Sequence, residues 1–154
     1  MTKEKFERFD LETQTKDIER IEFNQILKDT RPIIFDTNFL FVTFEFKIDV
    51  LYEIERLIGN KHTFYIYEGT ISELLNIERK REKNKKYLPL IVTMIHKYGF
   101  KIIRSNQKYI DDQLIENLHN KVIIATNDKE LRHKIWDNNE KVIYMRQTSY
   151  LEIK

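Results

Sequence analysis

Cysteine is absent from this 154-residue chain, and glycine and proline are scarce, at three and two residues. The lack of cysteine excludes disulfides, thiolate metal sites and cysteine nucleophiles, but it leaves carboxylate chemistry open. The scarcity of glycine and proline leaves little material for flexible linkers. No apolar run approaches the roughly 18 residues that a membrane span needs, and the start of the chain, MTKEKFERFD, is charged where a signal peptide would be apolar. We therefore expect a soluble, cytoplasmic protein.

Neither sign of charge dominates, because 27 Lys and Arg residues are offset by 25 Asp and Glu residues, for a net charge of +2. A balance this close to neutral does not by itself indicate nucleic-acid binding, so only the placement of the charges is informative. The chain has no glycine-rich phosphate loop, which argues against nucleotide-dependent kinases and dinucleotide enzymes. Its four histidines show no zinc-type spacing. The acidic residues remain as the main candidates for chemistry.

Two regions with different patterns divide the chain. Residues 1–30 alternate charged and apolar positions, with Ile18, Ile21, Ile26 and Leu27 at loosely helical spacing, which predicts a polar helical extension outside the core. In residues 31–154, continuous apolar runs alternate with amphipathic helical patterns, which predicts one domain with a parallel sheet covered by helices on both faces. The predicted strands are residues 31–36, 62–67, 100–105, 121–126 and 141–146, and the predicted helices are residues 47–60, 70–81, 88–99, 109–120 and 127–140.

Acidic residues follow several of the predicted strands. Asp36 interrupts the apolar run IIFDTNFLF at the end of the first strand, Glu73 lies in the helix after the second, and Asp128 follows the strand KVIIAT. Asp111 and Asp112 open the helix that enters that strand. Functional groups in such sheets lie beyond the carboxyl ends of the strands, so these acids are expected to converge. Convergent carboxylates repel one another unless a cation lies between them, and Mg²⁺ and Mn²⁺ prefer oxygen ligands, so the pattern predicts a metal site.

Each acid taken alone also has a structural interpretation. Thr70 and Glu73 have the spacing of a helix capping box, Asp128 suits an N-cap, and Asp36 suits an Asx turn. Capping does not, however, require acids after each of several neighbouring strands. The joint pattern therefore favours a metal site over capping.

The order of these motifs resembles PIN-domain nucleases from about residue 31 to the carboxyl terminus. The matching segments are IIFDTNFL, TISELL, IDDQLIENL and VIIATNDKELRHKI. The chain looks most like the branch that contains the small-subunit ribosome-biogenesis PIN endonucleases and their archaeal relatives, and VapC toxins belong to the same superfamily. The resemblance implies a PIN-like doubly wound α/β fold and a metal-dependent endoribonuclease that hydrolyses RNA phosphodiester bonds, with rRNA processing as its expected role.

The resemblance also implies which residues form the site. The family's acidic quartet, which would be both catalytic and metal-binding with Mg²⁺ or Mn²⁺, falls on Asp36, Glu73, Asp112 and Asp128. Asp112 rather than its neighbour Asp111 takes the third position, although Gln113 replaces the small residue that usually follows there. The polar residues expected to support the acids are Asn38, Thr126 and Asn127.

RNA, single-stranded or structured, is the expected partner. The basic residues that we expect as candidate phosphate contacts are Lys80, Arg81, Lys83, Lys85, Lys86, Lys129, Arg132 and Lys134. Three alternatives stay open: a VapC-type toxin ribonuclease, a DNA nuclease of the related flap-cutting type, and a non-catalytic RNA-binding or assembly module. An antitoxin or a ribosome-assembly protein is a further expected partner. A homodimer is a further expectation, because PIN domains often pair.

Overall fold

The computed structural model describes residues 9–104 and 122–154. The strands in these two stretches are β1 Arg20–Ile21, β2 Pro32–Phe35, β3 Thr63–Tyr67, β4 Lys101–Ile103, β5 Ile123–Ala125, β6 Val142–Arg146 and β7 Tyr150–Ile153. They form one sheet in the order β1-β4-β3-β2-β5-β6-β7. Neighbouring strands run parallel, except that β6 and β7 are antiparallel. The carboxyl ends of the parallel strands therefore meet at one edge of the sheet.

Helices connect the parallel strands. The α-helices of the described residues are α1 Leu11–Thr15, α2 Phe23–Ile26, α3 Val42–Phe46, α4 Val50–Ile58, α5 Glu68–Arg79, α6 Leu88–Lys97 and α7 Lys129–Asp137. Two 3₁₀ helices, Thr37–Phe41 and Lys83–Tyr87, lead directly into α3 and α6. None of the helices in residues 9–104 and 122–154 is long and apolar enough to cross a membrane.

The central strand β2 packs against helices on both faces of the sheet. All four of its residues are buried, and it pairs in parallel with β3 on one side and with β5 on the other. Side chains alternate along a strand, so Ile33 and Phe35 enter one apolar cluster, to which α1, α4, α5 and α6 contribute. Ile34 enters a second cluster with Ile26 of α2 and Ile135 of α7. The predicted doubly wound α/β fold is confirmed.

The five predicted strands correspond to β2 through β6, but the antiparallel strand β7 was not predicted. Its hairpin turn places Gln147 at φ 53° and Thr148 at φ 51°, and the Ser149 N–H donates to the Arg146 carbonyl at 3.1 Å. Such a turn normally carries Asn or Gly, which tolerate positive φ. Because neither is present, the sequence has no turn signal at this point. The helix predicted at residues 109–120 lies outside the described residues.

Apolar side chains of residues 9–30 contribute to the core, so the expectation that this segment lies outside it is wrong. Leu11 and Ile26 are fully buried, and Ile18 and Ile21 are each 7% exposed. β1 pairs with β4 through Arg20 and Ile21, and thus supplies an edge strand to the sheet. The helices and the strand in this segment are each too short to show a periodic pattern, which is why the sequence suggested only one loosely helical stretch. The position at which the folding unit begins stays a prediction.

We expect Leu11→Ala to lower the free energy of unfolding by about 3 kcal/mol, because it empties a fully buried position in the core. Glu12→Ala is the matched control, since it changes the adjacent exposed position of the same helix. Chemical denaturation followed by circular dichroism measures both variants. Equal stability of the two would show that this segment does not contribute to the core.

Candidate active site

Asp36 lies where β2 ends, directly beside the end of β5. Its backbone N–H donates to the Ala125 carbonyl at 2.9 Å and so extends the parallel ladder by one residue. Its own carbonyl accepts the Phe39 N–H at 3.0 Å, which begins the 3₁₀ helix. On the neighbouring strand, Ala125 is followed by Thr126 and, two positions later, by Asp128. Asp36 and Asp128 therefore follow the carboxyl ends of two adjacent strands, at the same edge of the sheet.

Three donors surround the carboxylate of Asp36. The Thr126 hydroxyl donates to Oδ2 at 2.7 Å, the Asn38 amide donates to the same oxygen at 3.2 Å, and the Thr37 N–H donates to Oδ1 at 3.0 Å. A carboxylate at the end of a buried strand needs such partners, because an unpaired one would cost several kcal/mol. These hydrogen bonds explain how the apolar run accommodates the DTN segment.

The three predicted supporting residues link the turns that follow β2 and β5. The Asn127 N–H donates to Asn38 Oδ1 at 3.2 Å, and Asn127 Oδ1 accepts the Met145 N–H of β6 at 2.8 Å. Thr126 Oγ1 accepts the Asp128 N–H at 3.1 Å while its hydroxyl donates to Asp36. Thr126 is fully buried, so its position is set by packing. One threonine hydroxyl thus contacts both the carboxylate of Asp36 and the backbone of Asp128.

Asp128 has a structural role as well as a place in the site. It is the N-cap residue of α7, and its Oδ1 accepts the Leu131 N–H at 3.1 Å. The N-cap interpretation of this residue is therefore confirmed. It does not compete with a functional role, because one oxygen of an exposed carboxylate remains available beside the N-terminus of the helix.

Glu73 lies in α5, which begins two residues earlier than predicted, at Glu68. The capping-box interpretation of Thr70 and Glu73 is wrong, because Thr70 is inside the helix and Tyr67 is its N-cap. The Thr37 hydroxyl instead donates to Thr70 Oγ1 at 3.1 Å between two buried side chains. This bond fixes the first turn of α5 against the turn that carries Asp36. Residues three apart lie on one helix face, so Glu73 is directed to the same side as Thr70.

These three members of the predicted quartet line a single cleft of about 520 Å³: Asp36, Glu73 and Asp128. Two further acids, Glu45 of α3 and Glu130 of α7, line it as well, and Lys134 adds a positive charge. Sequence reasoning missed both glutamates. Glu130 could have been found, because it lies in the first turn of the helix that Asp128 caps. Glu45 carries no such signal, since its position depends on the angle at which α3 continues from the 3₁₀ helix.

The pKa of Asp36 is raised above its ordinary value, chiefly because burial disfavours the charged carboxylate. The nearby negative charge of Asp128 raises it further, whereas the hydrogen bonds from Thr126, Thr37 and Asn38 lower it. The raising effects exceed the lowering ones. The folded protein therefore holds a carboxylate whose ionised form is destabilised by its surroundings.

Comparison with known proteins settles the family. A family model described as a PIN like domain matches residues 33–148, which is most of the chain. The chain belongs to the PIN-like domain family. It is 35% identical over 124 residues to Ribonuclease VapC4 of Methanocaldococcus jannaschii, and this match covers 79% of the chain and 95% of the relative. The resemblance to PIN-domain nucleases inferred from the motifs is confirmed.

A solved structure shows the same PIN fold. The structure of the PIN domain endonuclease Utp24 matches with a TM-score of 0.63, over 83% of this chain and 94% of that chain. The two sequences are 17% identical in this match. At that level the similarity shows the fold alone.

The donor atoms in the cleft of this PIN domain suit a hard divalent cation. Carboxylate oxygens are the ligands that Mg²⁺ and Mn²⁺ prefer, and a cation there would relieve the repulsion between Asp36 and Asp128. Within residues 9–104 and 122–154, no three acidic or histidine side chains lie close enough together to hold a metal ion by themselves. Asp111 and Asp112, the candidates for the third acid, lie outside the described residues. The quartet stays a prediction.

The basic residues predicted to contact RNA occupy different surroundings in the PIN domain. Lys80, Arg81, Lys83, Lys85, Lys86 and Lys129 are exposed. Arg132 instead packs on aromatic rings, with its guanidinium carbon 4.8 Å from the ring centroid of Tyr144 and 5.9 Å from that of Trp136. Lys134, one turn of α7 beyond Glu130, lines the cleft. Arg132 is therefore better explained by cation–π packing than by a phosphate contact.

We expect Asp36 of the metal-free PIN domain to titrate above the ordinary pKa of 3.8. Thr126→Val should raise the pKa of Asp36 further, because it removes a donor to the carboxylate. Asp128→Asn should lower it, because it removes a negative charge while keeping an oxygen that can cap α7. NMR titration of the side-chain carboxyl carbons measures these shifts, and Asp137→Asn at the other end of α7 is the control.

The same shift sets the direction of a pH effect on stability. A raised pKa means that the folded state binds the proton more tightly than the unfolded state, so stability falls as pH rises from 3.8 through the folded-state pKa of Asp36. Asp36→Asn should remove this contribution. A carboxyl that titrates at or below its ordinary pKa would contradict the electrostatic description of the site.

Proposed function

We propose that this PIN-domain protein is a metal-dependent endoribonuclease that hydrolyses phosphodiester bonds of RNA. The observation that carries the proposal is that Asp36, Glu73 and Asp128 line one cleft, beside the carboxyl ends of β2 and β5. The identity to a relative named as a ribonuclease supports RNA as the substrate. The fold shared with a protein named as a PIN domain endonuclease supports internal cleavage.

The residues that would hold Mg²⁺ or Mn²⁺ are Asp36, Glu73 and Asp128, with Asp112 as the fourth. When bound, such an ion acts as a Lewis acid, which activates water and neutralises negative charge on the phosphate. The protein's own part is to hold the carboxylates in place. Thr126 fixes Asp36 and the backbone of Asp128, and the Thr37–Thr70 bond positions the helix of Glu73.

The biological role has two candidates, and one observation favours the second. Processing of rRNA was the first expectation, and the similarity to Utp24 supports it only at the level of the fold. The 35% identity to Ribonuclease VapC4, over almost the whole of that protein, favours a VapC-type ribonuclease. Induced expression separates these roles: a VapC-type toxin should arrest growth of the host, and co-expression of a small protein encoded beside it should relieve the arrest. Normal growth with accumulation of altered rRNA ends would favour processing.

A non-catalytic RNA-binding module is the alternative from another class. Nothing in such a module would require several mutually repelling carboxylates to line one cleft. RNA binding without cleavage, across varied RNAs and with either Mg²⁺ or Mn²⁺, would favour that alternative.

We expect cleavage of labelled single-stranded RNA in the presence of Mn²⁺ and none with a chelator. Asp36→Asn, Glu73→Gln and Asp128→Asn should each lower kcat/KM at least about 100-fold, or about 2.7 kcal/mol of transition-state stabilisation. Asp112→Asn should do the same, and Asp111→Asn is its matched control, because adjacent side chains of the helix predicted from the sequence would point about 100° apart. Loss of cleavage in Asp111→Asn with activity kept in Asp112→Asn would show that Asp111, and not Asp112, is the third acid of the site. Activity that survives chelation would contradict the mechanism.

Thermal melts separate a ligand role of Asp36 from a purely structural one. Mn²⁺ should raise the Tm of the wild type, because a ligand that binds only the folded state stabilises it by mass action. Asp36→Asn should lose most of this gain, yet melt no lower than wild type without metal, because its environment disfavours the ionised carboxylate. A purely structural Asp36 predicts that Asp36→Asn responds to Mn²⁺ as the wild type does, because the Asn side chain keeps an oxygen that can accept the Thr37 N–H.

A further inference from the structure

The acidic cleft continues along the surface into two further hollows. Glu45 and Asn84 line the cleft and also a second hollow of about 480 Å³, over the 3₁₀ helix Lys83–Tyr87. Lys86 lines that hollow and also a third of about 790 Å³, at the end of α5. Shared lining residues mean that the three hollows are adjacent. Together they form a path that leads away from Asp36 and Asp128.

The sign of the charge reverses along this path. The charged residues that line the cleft are five acids and a single lysine. The second hollow has two acids, Glu45 and Glu82, beside Lys83 and Lys86. In the third hollow four basic residues and a single acid are present: Arg79, Arg81, Lys85, Lys86 and Glu78. The carboxylate of Glu78 is already engaged, because its Oε2 accepts the Leu11 N–H at 3.0 Å. The far end of the path is therefore positive.

The basic side chains of the path are not used to hold the fold together. Arg79, Arg81, Lys83 and Lys85 are exposed, and in the described part of the chain none of them forms an ion pair with an acid. Lys86 lies over the ring of Tyr87, at 5.2 Å from its centroid. Like charges placed this densely repel one another and lower stability slightly, which a bound polyanion would reverse. We call these five residues the basic track.

Aromatic side chains accompany the basic track. Phe46 lines the second hollow and is 39% exposed, so its ring is accessible to a ligand. Beside it, Phe44 and Tyr87 stack with their ring centroids 6.4 Å apart and their planes at 21°, which holds the 3₁₀ helix against α3. Phe9 lines the third hollow. Cationic grooves with aromatic platforms are the usual means by which proteins bind single-stranded nucleic acid, since phosphates pair with the cations and unpaired bases stack on the rings.

We propose that the basic track and Phe46 bind a single-stranded RNA segment that extends from the acidic cleft over the 3₁₀ helix Lys83–Tyr87 to the end of α5. This inference rests on the proposed function, because it concerns how the RNA is held there. It specifies an extended, unpaired substrate: a stacked base on Phe46 must be free of its pairing partner. The substrate must also reach beyond the cleft by several nucleotides, so affinity depends on its length.

Binding is measured by fluorescence anisotropy in EDTA, with labelled single-stranded RNAs of 4 and 16 nucleotides and a 16-base-pair RNA duplex. The wild type should bind the 16-nucleotide strand at least tenfold more tightly than either of the other two. The paired substitutions Lys83→Ala with Lys86→Ala, and Arg81→Ala with Lys85→Ala, should each weaken that binding about tenfold. They should also reduce the slope of log K against log salt by about 0.7 for each phosphate that the variant no longer neutralises. Phe46→Ala should weaken binding of the strand by about fivefold or more and leave duplex binding unchanged.

The control for these pairs is Lys97→Ala with Lys141→Ala, which removes two exposed lysines that lie off the track. It should leave the affinity for the 16-nucleotide strand unchanged. An equal loss in the control, equal binding of the 4- and 16-nucleotide strands, or equal binding of strand and duplex would each overturn the inference.

Cleavage in Mn²⁺ distinguishes failure of this inference from failure of the proposed function. The track variants should raise KM for the 16-nucleotide strand without changing kcat, and should cleave the 4-nucleotide strand as the wild type does. Length-dependent binding with no cleavage by the wild type would contradict the proposed ribonuclease activity and support RNA binding by the basic track. Cleavage by the wild type with no effect of the track variants on KM would support the ribonuclease activity and contradict RNA binding by the basic track.

Discussion

The parallel pairing of β2 with β5 is the constraint on which the site depends. The register places Phe35 beside Ala125, so that the next residues, Asp36 and Thr126, lie close enough for a hydrogen bond of 2.7 Å. A shift by one residue would direct the side chains of β2 to the opposite face of the sheet. Phe35 resists such a shift, because its ring makes edge-to-face contacts with Phe39, Phe64 and Phe100. The aromatic cluster around Phe35 thus fixes the position of the adjacent residue, Asp36.

The same arrangement destabilises the ionised carboxylate of Asp36. Burial and the charge of Asp128 act against the ionised carboxylate, and the three hydrogen bonds offset only part of this cost. The packing of β2 and the buried Thr126 nonetheless keep the group in place. Such local destabilisation is common where a site is arranged for a ligand rather than for stability. The acids also have ordinary structural duties, since Asp36 caps a 3₁₀ helix and Asp128 caps α7. A capping role therefore does not exclude a further role for either side chain.

The near-neutral net charge of the chain conceals a strong separation of charge. Carboxylates from β2, α3, α5 and α7 collect in the cleft, whereas basic side chains collect on the connection between α5 and α6. An acidic cleft alone would repel a phosphodiester backbone. A cation in the cleft and a basic surface beside it would together make that region favourable for RNA. The basic residues form a local run at residues 79–86, but its position beside acids from distant parts of the chain depends on where the elements lie.

The amino-acid sequence by itself determined the alternation of strands and helices, the acids at the strand ends and the polar residues that accompany them. These features are local: apolar periodicity reports burial along one element, and Asp36, Asn38, Thr126 and Asn127 sit at fixed offsets from buried strands. Only the tertiary structure placed β1 in the sheet, added β7 through a turn without Asn or Gly, and brought Glu45 into the cleft. Contacts of this kind join residues far apart in the chain. They depend on strand order, register and helix angle, which no single element encodes.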